Sequence, residues 1–206
     1  MYFTGIRSIN DLLKVAMKEE ITDEMIDFFD KRTKKHIDLV KKYCKKIHEY
    51  NSEKFNGIIE RGEEHDKSKY EKPELDPYIY ITWDYHCKDT GKEFNISDEI
   101  KNKMNEATEH HVKANPHHPE YHLKSKDVST INREDRDKIP DKIIDATGMD
   151  ALDIGEMIAD WCAMSEEKGN SPHEWARKNV GKRWRFTNNQ EKMIYDLLDN
   201  IWGKES

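Results

Sequence analysis

A dense group of histidines lies in the middle of the sequence. Five of the ten histidines fall between positions 110 and 122, and they are His110, His111, His117, His118 and His122. Neutral imidazole is the commonest protein ligand for transition metals, so a group of this density predicts a metal site. The competing interpretation is a polar, solvated loop that is rich in histidine. It would suffice for two histidines and is the poorer account of five.

The elements around this group can bring its members together. The sequence predicts a helix over residues 97–114, with a serine N-cap at its start. Pro116 then ends the helix, because proline disfavours the helical conformation of the residue before it. His111 would therefore lie near a helix end, and His117 and His118 on the loop that follows. Imidazoles from these two elements can converge on one point.

Two histidines upstream of this group are further candidates. His36 lies four residues before Val40 and shares the inward face of its helix. A lone inward histidine is more often a hydrogen-bonded core residue than a ligand. His65 and Asp66 follow a helix predicted over 52–62. Adjacent His-Asp is a frequent dipeptide, but a carboxylate beside an imidazole can bridge two metals while the imidazole binds one of them.

Positive charge near this pair would suit a phosphate. Lys69 follows Asp66 by three residues, which is one helical turn, and its ammonium could neutralise a phosphate lying over the metal. An ordinary solvated lysine is the alternative. A second group of basic residues could supply an arginine such as Arg183 for the phosphate oxygens; its members are Arg177, Lys178, Lys182, Arg183 and Arg185.

Acidic residues recur on one face of the helix predicted over 150–168. Asp153, Glu156 and Asp160 are three and four residues apart and flanked by apolar residues. Like carboxylates on a buried face repel one another unless a cation or a proton lies between them. This favours Asp160 as a metal ligand, with Glu156 in a supporting role. An exposed acidic stripe is the alternative.

The length and charge of the chain limit how many domains it can form and which ligands suit it. At 206 residues the chain is predicted to form a single domain over 1–206. Its formal net charge is −7. An acidic chain is poorly suited to long nucleic acid, whose binding draws on many basic contacts. A small phosphorylated substrate needs only local positive charge, so it fits this balance.

The cysteines and the hydropathy pattern predict a cytoplasmic protein with no membrane partner. Three cysteines without short spacing are typical of a reducing compartment and not of a disulfide framework. No stretch approaches the ~18 apolar residues of a membrane span. The N-terminus lacks the charged start and apolar run of a signal peptide.

Apolar periodicity predicts helices along nearly the whole chain, and therefore an all-α fold. The first helix would be capped by Ser8, and the second, long helix by Thr22. Apolar positions of the long helix are Ile26, Phe29, Ile37, Val40, Cys44 and Ile47. The other predicted helices are 52–62 with Gly62 as the C′ residue, 97–114, Pro140 to Gly148, 150–168, one capped by Ser171, and 187–202. Residues 124–138 would form a variable surface loop or a lid.

Aromatic residues concentrate between the two histidine-bearing regions, at Tyr78, Tyr80, Trp83 and Tyr85. Their spacing does not fit a single helical stripe. We expect them to pack partly in the core and partly over the mouth of the site. Base stacking is an alternative that a sequence does not separate from core packing.

The order of the candidate residues resembles the HD superfamily of metal-dependent phosphohydrolases. The matching residues are His36, His65-Asp66, His111, His117-His118 and Asp160. More specifically, the chain is similar to an uncharacterised bacterial and phage family over roughly residues 30 to 200. The motifs that carry this similarity are 65–69, 115–121, Glu156-Met157 and Asp160-Trp161.

The resemblance implies an HD-like helical bundle with a metal-binding core at about 30–168 and C-terminal helices over 171–202. It also implies that His36, His65, Asp66 and Asp160 bind one ion. Further histidines would bind a second ion, and we expect these to be His111 and His118, with His117 as the rival of His118. His110 should point away, about 100° round the helix from His111, and His122 should lie at the surface.

Mixed imidazole and carboxylate ligands suit Mn, Fe, Co, Ni or Zn better than Mg or Ca. One or two divalent ions would supply metal-activated water for hydrolysis of a nucleotide or another small phosphate ester. Lys69 would bind the phosphate, and Glu156 would orient the water or a ligand imidazole. Two alternatives remain, an HD-type di-iron oxygenase and a non-enzymatic helical module stabilised by metal. The oligomeric state is left open.

Overall fold

The longest helix, α1 (Asp23–Tyr50), supports the rest of the fold. The computed structural model describes residues 20–123, 138, 140 and 142–204. Thr22 caps α1 as predicted, since its side chain accepts a hydrogen bond from the backbone N–H of Met25 at 3.3 Å. Asp23 and Glu24 complement the helix dipole in the first turn.

The other elements confirm the all-α class. In chain order they are α2 (Ile58–Glu64), a 3₁₀ turn (Lys67–Tyr70), α3 (Leu75–Asp89), α4 (Asp98–Ala114), a 3₁₀ turn (Pro119–His122), β1 (Ile144–Asp145), α5 (Ala151–Lys168), α6 (Pro172–Asn179), β2 (Trp184–Arg185) and α7 (Asn188–Ile201). The two strands are only two residues long and pair in parallel. The predicted helices at 97–114, 150–168 and 187–202 are all present, and α6 has its N-cap at Ser171.

Two separate apolar clusters hold these elements together. The large cluster joins the C-terminal half of α1 to α2, α5, α6 and α7, and includes Val40, Cys44, Ile58, Ile158 and Leu198, each 0% exposed. Fully burying such side chains contributes roughly 1.5–3 kcal/mol each. The small cluster joins the N-terminal half of α1 to α3 and α4, and includes Phe29, Ile79, Ile81, Ile100 and Met104.

His36 lies on α1 between the residues that enter these two clusters. Phe29 enters the small cluster and Val40 the large one. His36 is itself only 5% exposed. The buried, polar His36 therefore lies between the two apolar clusters along α1. The inward position of His36 agrees with the sequence prediction.

Two glycines set the start of α2 and its distance from α1. Gly57 has φ +95°, a left-handed conformation, and separates a turn over 52–57 from the helix that begins at Ile58. Gly62 lies inside α2, where a Cβ would come within 3.0 Å of Cys44 Sγ. The prediction of one helix over 52–62 with Gly62 as its C′ residue is therefore wrong. Gly62 is needed for close packing of α2 on α1.

Other local predictions also need correction. Ile26 is 43% exposed, and Met25 takes the buried position beside it. The predicted helix from Pro140 to Gly148 is not formed by the described residues of that segment. Ile144 and Ala146 instead donate backbone hydrogen bonds to Arg183 and Arg185 at 2.8 and 2.9 Å. Pairing with β2 satisfies these backbone groups and replaces the helical bonds.

The predicted aromatic group divides between core and surface. Tyr78 and Tyr80 are buried, Trp83 is half-buried and Tyr85 is 40% exposed. The helix capped by Ser8 and nearly all of the 124–138 loop lie outside the described residues. Among the residues that are described, no helix combines the length and apolar character needed to cross a bilayer.

Candidate metal centre

Asp66 lies at the middle of the predicted ligand set. It follows His65 directly, between α2 and the first 3₁₀ turn, and adopts φ 58°. A left-handed backbone is tolerated by aspartate better than by most residues, at a cost of about 1–2 kcal/mol. The turn directs both side chains inward, and each residue is 2% exposed.

The two carboxylate oxygens of Asp66 face different imidazoles. Oδ2 lies 3.6 Å from His65 Nε2 and 3.9 Å from His36 Nε2. Oδ1 lies 3.2 Å from His111 Nε2. One carboxylate therefore separates two sets of nitrogen ligands.

These sets correspond to two candidate metal positions. We call the set His36, His65 and Asp160 the first position, and the set His111, His117 and His118 the second position. Within each set the ligand atoms lie within 4.8 Å of one another. The atoms of a third group, His65, His117 and Glu156, meet the same criterion, and this group takes one imidazole from each position. In the first position, His36 Nε2 is 3.1 Å from Asp160 Oδ1. The structure thus brings together every predicted ligand, and both His117 and His118 belong to the second position.

The outer nitrogens of three ligand imidazoles lie beside carboxylates. His65 Nδ1 is 2.8 Å from Glu156 Oε1, and His111 Nδ1 is 2.8 Å from Glu74 Oε2. His36 Nδ1 is 3.5 Å from Glu167 Oε2. The contacts of His65 and His111 are hydrogen bonds, which fix the ring orientation and the tautomer and leave Nε2 toward Asp66. The contact of His36 is longer and is not a hydrogen bond.

Sequence reasoning missed two of these carboxylates. Glu167 lies seven residues after Asp160, on the same face of α5, so helical periodicity could have found it. Glu74 carries no comparable signal, because it lies in a polar segment beside Pro73. It is nevertheless 0% exposed, and its other oxygen lies 2.7 Å from His110 Nδ1.

Arg61 is a third residue that the sequence did not reveal. Its Nε donates to Glu156 Oε2 at 2.7 Å, and its Nη2 donates to Asp153 Oδ1 at 2.8 Å. Asp153 also accepts from the backbone of Asp150 in the capping box of α5. The acidic face predicted on this helix is therefore divided. Asp153 and Glu156 pair with Arg61, and Asp160 faces His36.

Lys69 is paired with Asp66 Oδ2 and is largely buried. Its ammonium lies 5.1 Å from the ring centroid of Tyr78, and the Tyr78 ring is 5.3 Å from that of His111. Lys69 therefore lies beside both candidate positions, in contrast to the solvated lysine of the alternative interpretation.

The charged groups of the centre strongly shift one another's pKa values. Burial opposes ionisation of Asp66, but the Lys69 ammonium and the imidazoles of His65 and His111 outweigh it and hold the pKa of this carboxyl well below its usual range. Burial likewise opposes ionisation of Asp160, and the contact with His36 lowers its pKa. Burial would lower the pKa of His36, but Asp160 and Glu167 raise it to about 9.

The two remaining histidines of the 110–122 group lie outside both positions. The side chain of His110 is 44% exposed and turns to Glu74. His122 was expected at the surface, but its side chain is only 11% exposed and its Nε2 donates to Pro116 O at 2.9 Å. The 3₁₀ turn over Pro119–His122 folds it back, which corrects that prediction.

The predicted basic patch is also altered by burial. Arg183 is 8% exposed, packs over the Trp184 ring and lies 3.9 Å from Glu120 Oε1. Arg177, Lys178, Lys182 and Arg185 are exposed. The sequence predicts that Arg183 belongs to this basic group. The structure instead buries it, apart from its four exposed neighbours.

The donor atoms fit a transition metal. His65 Nε2 is buried and has no hydrogen-bond partner among the described residues. Buried polar atoms are normally paired, so such an atom calls for an explanation such as an ion. Imidazole nitrogens and carboxylate oxygens converging on one point are typical ligands of Mn, Fe, Co, Ni or Zn.

Comparison with known proteins gives a family assignment without a function. The model of a family of unknown function, DUF5662, matches residues 25–202. No curated protein and no solved structure matches the chain. The matched residues include both candidate positions and both apolar clusters. The chain therefore belongs to the DUF5662 family.

Proposed function

We propose that the protein is an HD-type, metal-dependent phosphohydrolase acting on a nucleotide or another small phosphate ester. The observation that carries this proposal is the placement of Asp66. Its Oδ2 faces His65 and His36 and its Oδ1 faces His111, as a carboxylate bridging two ions would require.

The proposal assigns roles to the ligand residues. The first position, with Asp66, would hold one divalent transition metal ion, and the second position, with Asp66, would hold another. Bound divalent metal supplies Lewis acidity toward phosphate oxygens and makes water a stronger nucleophile near neutral pH. Glu74, Glu156 and Glu167 would hold the imidazoles with Nε2 inward.

Lys69 would bind the phosphate. Its ammonium pairs with Asp66 and lies over the Tyr78 ring, so a small movement would bring it to an oxygen of a phosphate beside Asp66. Hydrolysis breaks the ester P–O bond, forms a P–O bond to the oxygen of water, and transfers a water proton to the departing alcohol. A lysine that neutralises phosphate charge would favour this displacement.

Glu156 is better suited to positioning than to orienting water. Its Oε2 accepts a hydrogen bond from Arg61, and its Oε1 is hydrogen-bonded to His65 Nδ1 and lies 3.1 Å from His117 Nδ1. Both oxygens are therefore in use, and this favours the second of the two roles predicted for it.

The proposal is tested by metal analysis of the purified protein, followed by assay of the Mn²⁺-loaded protein. Substrates would be nucleoside mono-, di- and triphosphates, cyclic nucleotides and p-nitrophenyl phosphate. We expect phosphate release that Lys69→Ala reduces about 100-fold without changing metal content. Lys67→Ala, an exposed lysine two residues away that pairs with Glu64, is the matched control and should leave turnover unchanged.

The alternatives predict other results in the same experiment. Tightly bound iron with oxygen-dependent turnover would replace the hydrolase by the di-iron oxygenase. Bound metal with no activity on any of these phosphates would contradict the hydrolase and favour the metal-stabilised module.

A further inference from the structure

Glu156 contacts one imidazole of each candidate position through the same oxygen atom. Its Oε1 lies 2.8 Å from His65 Nδ1 and 3.1 Å from His117 Nδ1. His65 belongs to the first position and His117 to the second, and their ring centroids are 4.4 Å apart. Glu156 is 3% exposed. The two positions therefore share a second connection besides Asp66, on the opposite side of the His65 ring.

Arg61 holds Glu156 in this arrangement. The guanidinium donates to Glu156 Oε2 at 2.7 Å and to Asp153 at 2.8 Å. Because α2 supplies Arg61 and α5 supplies both carboxylates, Glu156 does not rotate away from the imidazoles without losing this ion pair. One carboxylate held in place by Arg61 therefore contacts two ligand rings.

We infer that Glu156, held by Arg61, is a positioning residue that couples the two metal positions, so that filling the first strengthens binding at the second. The inference rests on the metal pair of the proposed function and describes how that pair is loaded. Binding through His65 Nε2 requires the proton on Nδ1, which then donates to Glu156 Oε1. This bond fixes the position of Oε1, which also lies 3.1 Å from His117 Nδ1. Such coupling is reciprocal, and typical values change affinity about 5–150-fold.

The test measures Mn²⁺ affinity by titration, with free Mn²⁺ followed by electron paramagnetic resonance and without any substrate. Asp160→Ala removes a ligand of the first position and isolates the second. The coupling is the affinity of the second ion in the unaltered chain divided by the affinity of the single ion in Asp160→Ala. We expect this ratio to fall at least about fivefold when both measurements are repeated in Glu156→Gln.

Asp153→Asn is the matched control. Asp153 lies on the same helix and contacts the same guanidinium, but the imidazole near it is that of His122, 3.4 Å away, which is outside both positions. We expect the ratio to stay unchanged in this variant. Because Glu156→Gln leaves Arg61 with one carboxylate, the double variant Arg61→Met/Glu156→Gln is measured beside it. It should show the same loss of coupling.

The outcomes separate this inference from the proposed function. Two ions bound with an unchanged ratio in Glu156→Gln and in the double variant would overturn the coupling and leave the metal pair intact. An equal fall of the affinity ratio in Asp153→Asn would also overturn the coupling. The fall would then follow from the loss of any carboxylate that pairs with Arg61. Fewer than two ions in the unaltered chain would remove the metal pair, and the coupling with it.

Discussion

The two sides of Asp66 are built differently. The first position takes His36 and Asp160 from the long helices α1 and α5, whose packing on the large apolar cluster fixes both. The second position takes His111 from the last turn of α4 and His117 and His118 from the irregular chain after it. Helix geometry therefore positions His36 and Asp160 of the first position, and local hydrogen bonds position the loop histidines of the second.

The local bonds on the second side are specific. Asn115 Nδ2 donates to His111 O at 2.8 Å and to Ser68 Oγ at 3.0 Å, and His118 N donates to Asn115 O at 3.0 Å. Asn115 thus ties the end of α4 to the segment beside Asp66. The second position therefore depends on a few polar contacts that have no periodic signature in the sequence.

The largest effect is expected where the two sides meet. Asp66→Ala removes the carboxylate that both positions share, so both ions should be lost and the metal content should fall to background. Elemental analysis of the purified variant measures this. Asp84→Ala, which removes a buried aspartate of α3 outside both positions, is the control and should retain metal. Unchanged stoichiometry in Asp66→Ala would contradict the bridging role.

The next effect should separate the two sides. Asp160→Ala and His111→Ala each remove one ligand, and each should lower the metal content from two ions to one. Losing a ligand should weaken its own position by more than the ~10–100-fold typical of an outer contact. X-ray absorption of the remaining ion distinguishes them, because more imidazoles remain after Asp160→Ala. Loss of both ions in either variant would mean that the positions are not separable.

A smaller effect is expected from the carboxylates that hold the imidazoles. Glu74→Gln should weaken the second position about 10–100-fold, because Glu74 lies 2.8 Å from His111 Nδ1. Glu167→Gln should weaken the first position less, because the contact with His36 is 3.5 Å long. Titration with Mn²⁺ gives both affinities. A larger loss of Mn²⁺ affinity in Glu167→Gln than in Glu74→Gln would contradict this prediction. It would show that the shorter contact is not the more important one for metal binding.

The smallest effect concerns pH in protein stripped of metal by a chelator. Asp160 and Glu167 raise the pKa of His36 to about 9, above its ordinary value of 6.5. The charged imidazole therefore stabilises the fold below pH ~6.5, and this contribution is lost as the pH rises through about 9. We expect a loss on the order of 2 kcal/mol between pH 7 and 10, measured from urea unfolding midpoints. His36→Gln should lose less over this range, and an equal loss would assign it to other groups.

How well the site was predicted differs between residues for physical reasons. His36 and Asp160 follow from helical periodicity, because an inward position is determined by spacing alone. His117 and His118 were rivals in the sequence, and the structure places both at the second position, because turn geometry decides where loop side chains point. The N-caps of α1, α4 and α6 were predicted correctly, since a cap is a local interaction.

Long-range contacts account for what was missed. Arg61 reaches α5 across 92 and 95 positions of sequence, and no local pattern reports such a pair. The segment from Pro140 to Gly148 was predicted helical, but the described part of it pairs with β2 some 40 residues later. Tertiary hydrogen bonds override local propensity there.

The most direct test is anomalous diffraction at the manganese edge from crystals of the protein grown with Mn²⁺. We expect two peaks on opposite sides of Asp66, one among His36, His65 and Asp160 and the other among the imidazoles of the second position. Absence of both peaks, or an ion bound only by residues outside these two sets, would show that Asp66 does not lie between two metal positions.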